Sequence, residues 1–137
     1  MDASPHGVDC TAHTVTGEPK AWLRLDGLVL LVVSIGLFFT TDQPWWLIPL
    51  IIFVPDIFMV GYLGNTRIGG FLYNAGHSYF LPAILTFTSL WQHSELGLAL
   101  GLLWFAHIGM DRVAGYGLKY SDSFKHTHLG SLEKGKK

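Results

Sequence analysis

Charge is scarce in this chain. Only 14% of its 137 residues are Asp, Glu, Lys or Arg, against roughly 25% in an ordinary soluble domain, while 50% are hydrophobic. That balance excludes a typical soluble fold and places the chain in the membrane class, with a length that suits one domain. The basic residues never gather into a block, which excludes nucleic acid as a partner, because phosphate binding needs clustered Lys and Arg. The Lys-rich end, residues 133–137, reads as a solvated tail. A single cysteine, Cys10, cannot form an internal disulfide, so cysteine usage leaves the redox compartment open. Metal words such as HExxH or paired cysteines are also missing. Apolar periodicity is absent from residues 1–21, where Pro5, Gly7, Gly17 and Pro19 interrupt small polar residues; this reads as a disordered polar leader. It is not a secretory signal, since the apolar stretch starts only after Ala21 and is longer than a signal core.

What the chain does have is long apolar runs. Residues 22–132 read as an all-α, four-helix transmembrane bundle with spans at about residues 23–41, 46–63, 70–91 and 96–110. Near-twenty-residue helices rising about 1.5 Å per residue match a hydrocarbon core of about 30 Å. The fourth span is the shortest. Trp45 and Trp46 mark an interface, Pro49, Pro55 and Pro82 are expected to kink their spans, and residues 64–70 are expected to form a loop. Lys20 and Arg24 precede the first span, Arg67 lies between the second and third, and Arg112, Lys119 and Lys125 follow the fourth. The other connections carry only Asp42 and Glu95 as charges. By the positive-inside rule both termini and the middle loop face the cytoplasm, in an inner (plasma) membrane.

Orientation gives the polar residues a depth. Asp56 and His77 fall about 10 Å above the cytoplasmic ends of spans two and three, His107 about one turn above the end of span four, and Asp111 at that end. Ionisable groups at membrane depth are costly, so three spans placing theirs at one level point to one site. His107 and Asp111 are four apart and share a helical face. Asn74, His77 and Ser78 form a polar face on span three, and Pro55 and Pro82 free the carbonyls of Ile51 and Ser78 beside it, which suggests a lined cavity.

Three chemistries fit these residues. His77, His107 and Asp111 are candidate ligands for a divalent metal, zinc or iron, with Asp56 completing the set. Without metal, His107 tuned by Asp111, together with His77 and Asp56, would be an acid and base group. Alternatively Asp111 and Arg112 pair at the interface while His77 and Asp56 bond each other as helix glue. Gly97 and Gly101 suit close helix packing within the monomer rather than dimerisation, although an oligomer stays open. Tyr62, Tyr116 and Tyr120 read first as interfacial anchors. His126 and His128 read as solvated, or as closing over the cavity from below.

The words PDIFMVGYL from Pro55, YNAGHSY from Tyr73, AHIGMDRVAGYGLKY from Ala106 and FKHTHLG from Phe124, in that order among four apolar runs, resemble the small bacterial integral-membrane family known as domain of unknown function 4260. The resemblance covers about residues 23–132. It implies a compact four-span membrane protein with recurring polar positions at Asp56, Tyr62, Asn74, His77, His107, Asp111, Arg112, Lys119 and His128, and it implies no reaction.

The leading expectation is a membrane enzyme whose cavity opens to the cytoplasmic leaflet and takes a lipophilic small molecule, an isoprenoid or acyl compound. His77, His107, Asp111 and Asp56 would be catalytic, and Asn74, Tyr62, Arg112 and Lys119 would bind substrate, the last two through a polar or anionic head. A proton-coupled transporter or carrier subunit is the alternative, though its polar groups should continue through the outer half, where span one offers only Ser34. A non-catalytic membrane adaptor would instead turn its polar surface outward.

Overall fold

A computed structural model describes residue 15, residues 17–119 and residues 126–131. Most of the polar leader, with Cys10, lies outside the described residues, as do Tyr120, Lys125 and the Lys-rich tail. The elements run α1 (Glu18–Phe38), α2 (Leu47–Ile51), a 3-10 segment (Val54–Leu63), α3 (Thr66–Gly76), α4 (Phe80–Trp91) and α5 (Glu95–Ala114). A two-residue antiparallel pair closes the described chain, β1 (His126–Thr127) with β2 (Gly130–Ser131). The fold is helical, and this short hairpin is an addition the apolar runs did not announce.

Two helices, α1 and α5, are long and apolar enough to cross a membrane by length and composition. The first begins at Glu18, inside the stretch read as leader, because Pro19 sits in its opening turn, where a missing amide proton costs nothing. The last runs for 20 residues, so the span expected to be shortest is one of the two longest. Its limits come from caps. The Ser94 hydroxyl accepts from the Gly97 amide at 3.2 Å, and Gly115 ends the helix at φ 91°, a left-handed turn that glycine adopts without a Cβ clash.

The second and third apolar runs, expected as kinked spans, are broken into shorter elements. The second divides into α2 and the 3-10 segment, with Pro55 at the start of the latter. The third divides at residues 77–79 into α3 and α4, and Pro82 then falls in the first turn of α4, where its amide would have no helical partner. The expected loop at 64–70 is helical from Thr66, because Asn65 caps α3 by accepting from the Ile68 amide at 2.8 Å.

Helix α5 is the centre of the packing, with α1 along one side and α4 along another, while α3 packs on the 3-10 segment. Close approach of α1 and α5 depends on Gly27 and Gly109: a Cβ on Gly109 would meet the Gly27 carbonyl oxygen and the Leu31 amide nitrogen at 2.7 Å. Gly97 and Gly101 do the same against Ser89 and Thr86 of α4, so this small-residue pair is used within the chain. Phe38, Leu47, Ala99 and Leu103 form the buried apolar cluster where α1, α2 and α5 meet.

Candidate metal centre

The break after α3 builds the first half of the site. Because the helix stops at Gly76, the Tyr73 carbonyl accepts from both the His77 amide and His77 Nδ1, each at 2.9 Å. A carbonyl can only accept, so the proton of the neutral ring is on Nδ1 and the Nε2 lone pair points inward. The Tyr73 and His77 rings stack with centroids 3.8 Å apart and 11° between planes. From α5, the Trp104 indole donates to the Gly76 carbonyl at 2.7 Å, satisfying an orphan acceptor at the helix end and holding the break in place. Asp56 enters from the 3-10 segment, and His107 and Asp111 from one face of α5.

These four residues converge. His77 Nε2 and His107 Nε2 are 3.0 Å apart. Asp56 Oδ1 lies 3.4 Å from each of them, and Asp111 Oδ2 lies 3.4 Å from His77 Nε2 and 3.5 Å from His107 Nε2. The four ligand-capable atoms all fall within 4.8 Å of one another. Both imidazoles are buried, whereas the Asp56 side chain is 42% exposed and forms the open side. Two ring nitrogens facing each other at 3.0 Å need something between them, either the hydrogen of a neutral His107 Nε2–H donated to the His77 lone pair or a metal ion. For tetrahedral zinc with bonds of about 2.0–2.1 Å the ligand atoms would be about 3.3–3.4 Å apart. Five of the six separations, 3.0–3.5 Å, lie close to that value, and two imidazoles with two carboxylates are a donor set that suits such an ion in chemistry. His107 Nδ1 is buried with no hydrogen-bond partner among the described residues.

A second layer surrounds the quartet. Tyr73, stacked on His77, also lines the cavity beside Asp111, so this one residue borders two of the four groups. The Lys119 ammonium lies 4.1 Å over the Tyr73 ring and 5.3 Å over the Tyr62 ring, both within cation–π range. Burial pushes the Lys119 amine down to about 8, against the opposing pull of the Asp111 and Asp56 carboxylates. A cavity of about 280 Å³ bounded by Asp56, Met59, Tyr73, Asp111, Tyr116 and Lys119 opens beside the quartet.

Lys119 is held from behind by Asn74, whose side-chain nitrogen donates to the Lys119 carbonyl at 2.8 Å and whose oxygen accepts from the Lys119 amide at 2.6 Å. The Lys119 main chain also bridges to Thr127 of the hairpin. Removing a buried bond typically costs about 1–3 kcal/mol, so Asn74→Ala should loosen the segment around Lys119. Amide exchange at Leu118 and Lys119 is expected to accelerate by at least about 10-fold, the equivalent of about 1.4 kcal/mol; unchanged exchange would show that the clamp contributes nothing.

These residues fall within residues 20–132, the stretch matched by a family model. The chain belongs to the family described as domain of unknown function DUF4260. No curated protein and no solved structure matches it.

Within this family domain the structure brings together all four residues expected to act, Asp56, His77, His107 and Asp111. The four expected to bind substrate diverge. Lys119 lines the cavity. Asn74 is occupied at both ends of its carboxamide by the Lys119 main chain, which gives it a positioning role. The Tyr62 ring packs on Gly69 and under Lys119. Arg112 turns away, 5.4 Å over the Tyr79 ring and 3.4 Å from His128 Nε2. His128 does not close over the quartet: its Nδ1 accepts from the Leu118 amide at 2.9 Å, and burial, then Arg112, lowers its proton affinity. Tyr73 was missed as a site residue, although its spacing of four from His77 was a signal.

Proposed function

We propose that this protein is a multi-pass membrane enzyme whose His77, His107, Asp56 and Asp111 hold a divalent metal, zinc or iron, and which acts on a lipophilic substrate at the cytoplasmic side. The observation that carries this reading is the shape of the quartet. A hydrogen bond between two neutral imidazoles would satisfy the rings but supplies no positive charge to draw each carboxylate oxygen to 3.4–3.5 Å from both nitrogens. A divalent ion held by all four groups accounts for both. The Tyr73 carbonyl on His77 Nδ1 is the outer partner that metal-bound histidines commonly have.

Membrane placement is supported by the outward face of α1, where Trp22, Val29, Val32 and Val33 are exposed; apolar surface of that extent needs an apolar environment. The segment Leu47–Leu63 and the pair α3 and α4 would supply the remaining two crossings, interrupted where they line the site, as non-helical backbone at membrane depth generally is. The basic residues then put the quartet toward the cytoplasm. Convergence of the polar groups on one inward site favours an enzyme over an adaptor.

A metal bound there would supply Lewis acidity and a water of lowered pKa. The chain's own contribution is to orient His77 through Tyr73, to shield both imidazoles from water, and to leave the Asp56 side open to the cavity. Elemental analysis of protein purified without chelators, beside His107→Ala, tests the reading. Stoichiometric zinc or iron in the wild type, lost in a variant that keeps its helical circular dichroism, is expected. A wild type that takes up neither metal would refute the metal centre.

A further inference from the structure

The cavity beside the quartet carries charge of both signs. With neutral imidazoles, Asp56 and Asp111 contribute two negative charges and Lys119 one positive, so the metal-free site is net negative among the described lining residues. A divalent cation would reverse that sign. We propose that this cavity is an oxyanion subsite whose affinity rises when the quartet holds its metal, and that it takes the anionic head of a membrane amphiphile with Lys119 as the contact. This rests on the metal reading above and adds the substrate class to it.

The placement of Lys119 supports the assignment. Its ammonium is fixed between two tyrosine faces, and its main chain is clamped by Asn74 and bridged to Thr127. A flexible lysine is thereby held as a point charge in the wall of the cavity that Asp56 and Asp111 also line, the form in which lysine binds phosphate. Arg112, the nearest alternative, is directed to Tyr79 and His128. The membrane source follows from the 3-10 segment, which gives Asp56 and Met59 to the cavity wall and on the adjoining face exposes Ile57, Val60 and Leu63, an apolar strip beside the cavity suited to an acyl or isoprenoid chain.

Coupling between two sites is reciprocal, so the anion must raise metal affinity by the factor that the metal raises anion affinity. Zinc titration into the full chain in neutral-lipid nanodiscs, by calorimetry, is the reference, and phosphatidic acid or inorganic phosphate is then added. Phosphatidic acid is expected to raise zinc affinity about 10-fold, within the usual range of such couplings. Lys119→Gln should tighten zinc in neutral lipid, by removing a like charge, and yet abolish the increment, whereas Lys119→Arg should retain part of it. An equal increment from inorganic phosphate would overturn the lipid assignment and leave a site for the free anion. If zinc binds and neither additive tightens it, the subsite is absent. An increment that survives Lys119→Gln is a membrane-surface effect and also overturns it. A wild type that binds neither zinc nor, in the same titration run anaerobically, ferrous iron in neutral lipid overturns the metal reading, and the subsite with it.

Discussion

Gly109→Ala is expected to undo the docking of α1 on α5. The added Cβ would fall 2.7 Å from the Gly27 carbonyl oxygen and from the Leu31 amide nitrogen. Both are main-chain atoms of the facing helix, so no rotamer change relieves the overlap and α1 as a whole must retreat. Retreat breaks the Arg24 Nε bond to the Val113 carbonyl, now 2.8 Å, and opens the cluster of Phe38, Leu47, Ala99 and Leu103. Overpacking commonly costs about 1–3 kcal/mol when side chains can adjust; with backbone on both sides the cost should exceed about 3 kcal/mol. Gly36→Ala in α1 is the control, because a Cβ there meets nothing within 4 Å. It should be neutral or stabilise by about 0.5–1 kcal/mol through helix propensity. Unfolding of the two variants in detergent, followed by circular dichroism, should separate them in sign; equal stability would mean that α1 and α5 do not cross where Gly27 and Gly109 meet.

The same pair of helices shows how far local sequence reaches. α1 and α5 are uninterrupted apolar runs, and their ends follow from Pro19, Ser94 and Gly115, whose effects are local. The middle apolar runs were harder to read, because a proline within an apolar run can kink a helix or restart one. Which happens is decided by partners elsewhere: the break at His77 is held by an indole from α5 on the Gly76 carbonyl. The site divides in the same way. His107 with Asp111 is legible as a spacing of four on one helix. Their meeting with Asp56 and His77 was reached only through the inferred depth of each span. Asn74 looked like a ligand-binding residue because it is polar inside an apolar run. Its partner is a main-chain group 45 residues away, and nothing in its neighbourhood encodes that.

Asp111→Asn is expected to have opposite consequences in metal-loaded and metal-stripped protein. An ion that binds only the folded chain stabilises it by about 4 kcal/mol when present at about a thousand times its dissociation constant. Losing one charged ligand of four should remove most of that, leaving below about 1 kcal/mol at the same concentration. After chelation the carboxylate keeps only the longer-range attraction of Lys119, and the Asp56 ligand atom lies within 4.8 Å of its own. Replacing it then removes a like-charge contact and should cost little or stabilise slightly. If the quartet is instead a buried ion-pair network holding helices together, breaking it should cost about 3–5 kcal/mol with or without metal. Denaturation of wild type and variant, each with excess zinc and with chelator, separates the two. A penalty present only with zinc assigns the quartet to metal binding. An equal penalty in both conditions would make Asp111 a structural partner of His77 and His107, and the distances of 3.4–3.5 Å would then describe helix glue.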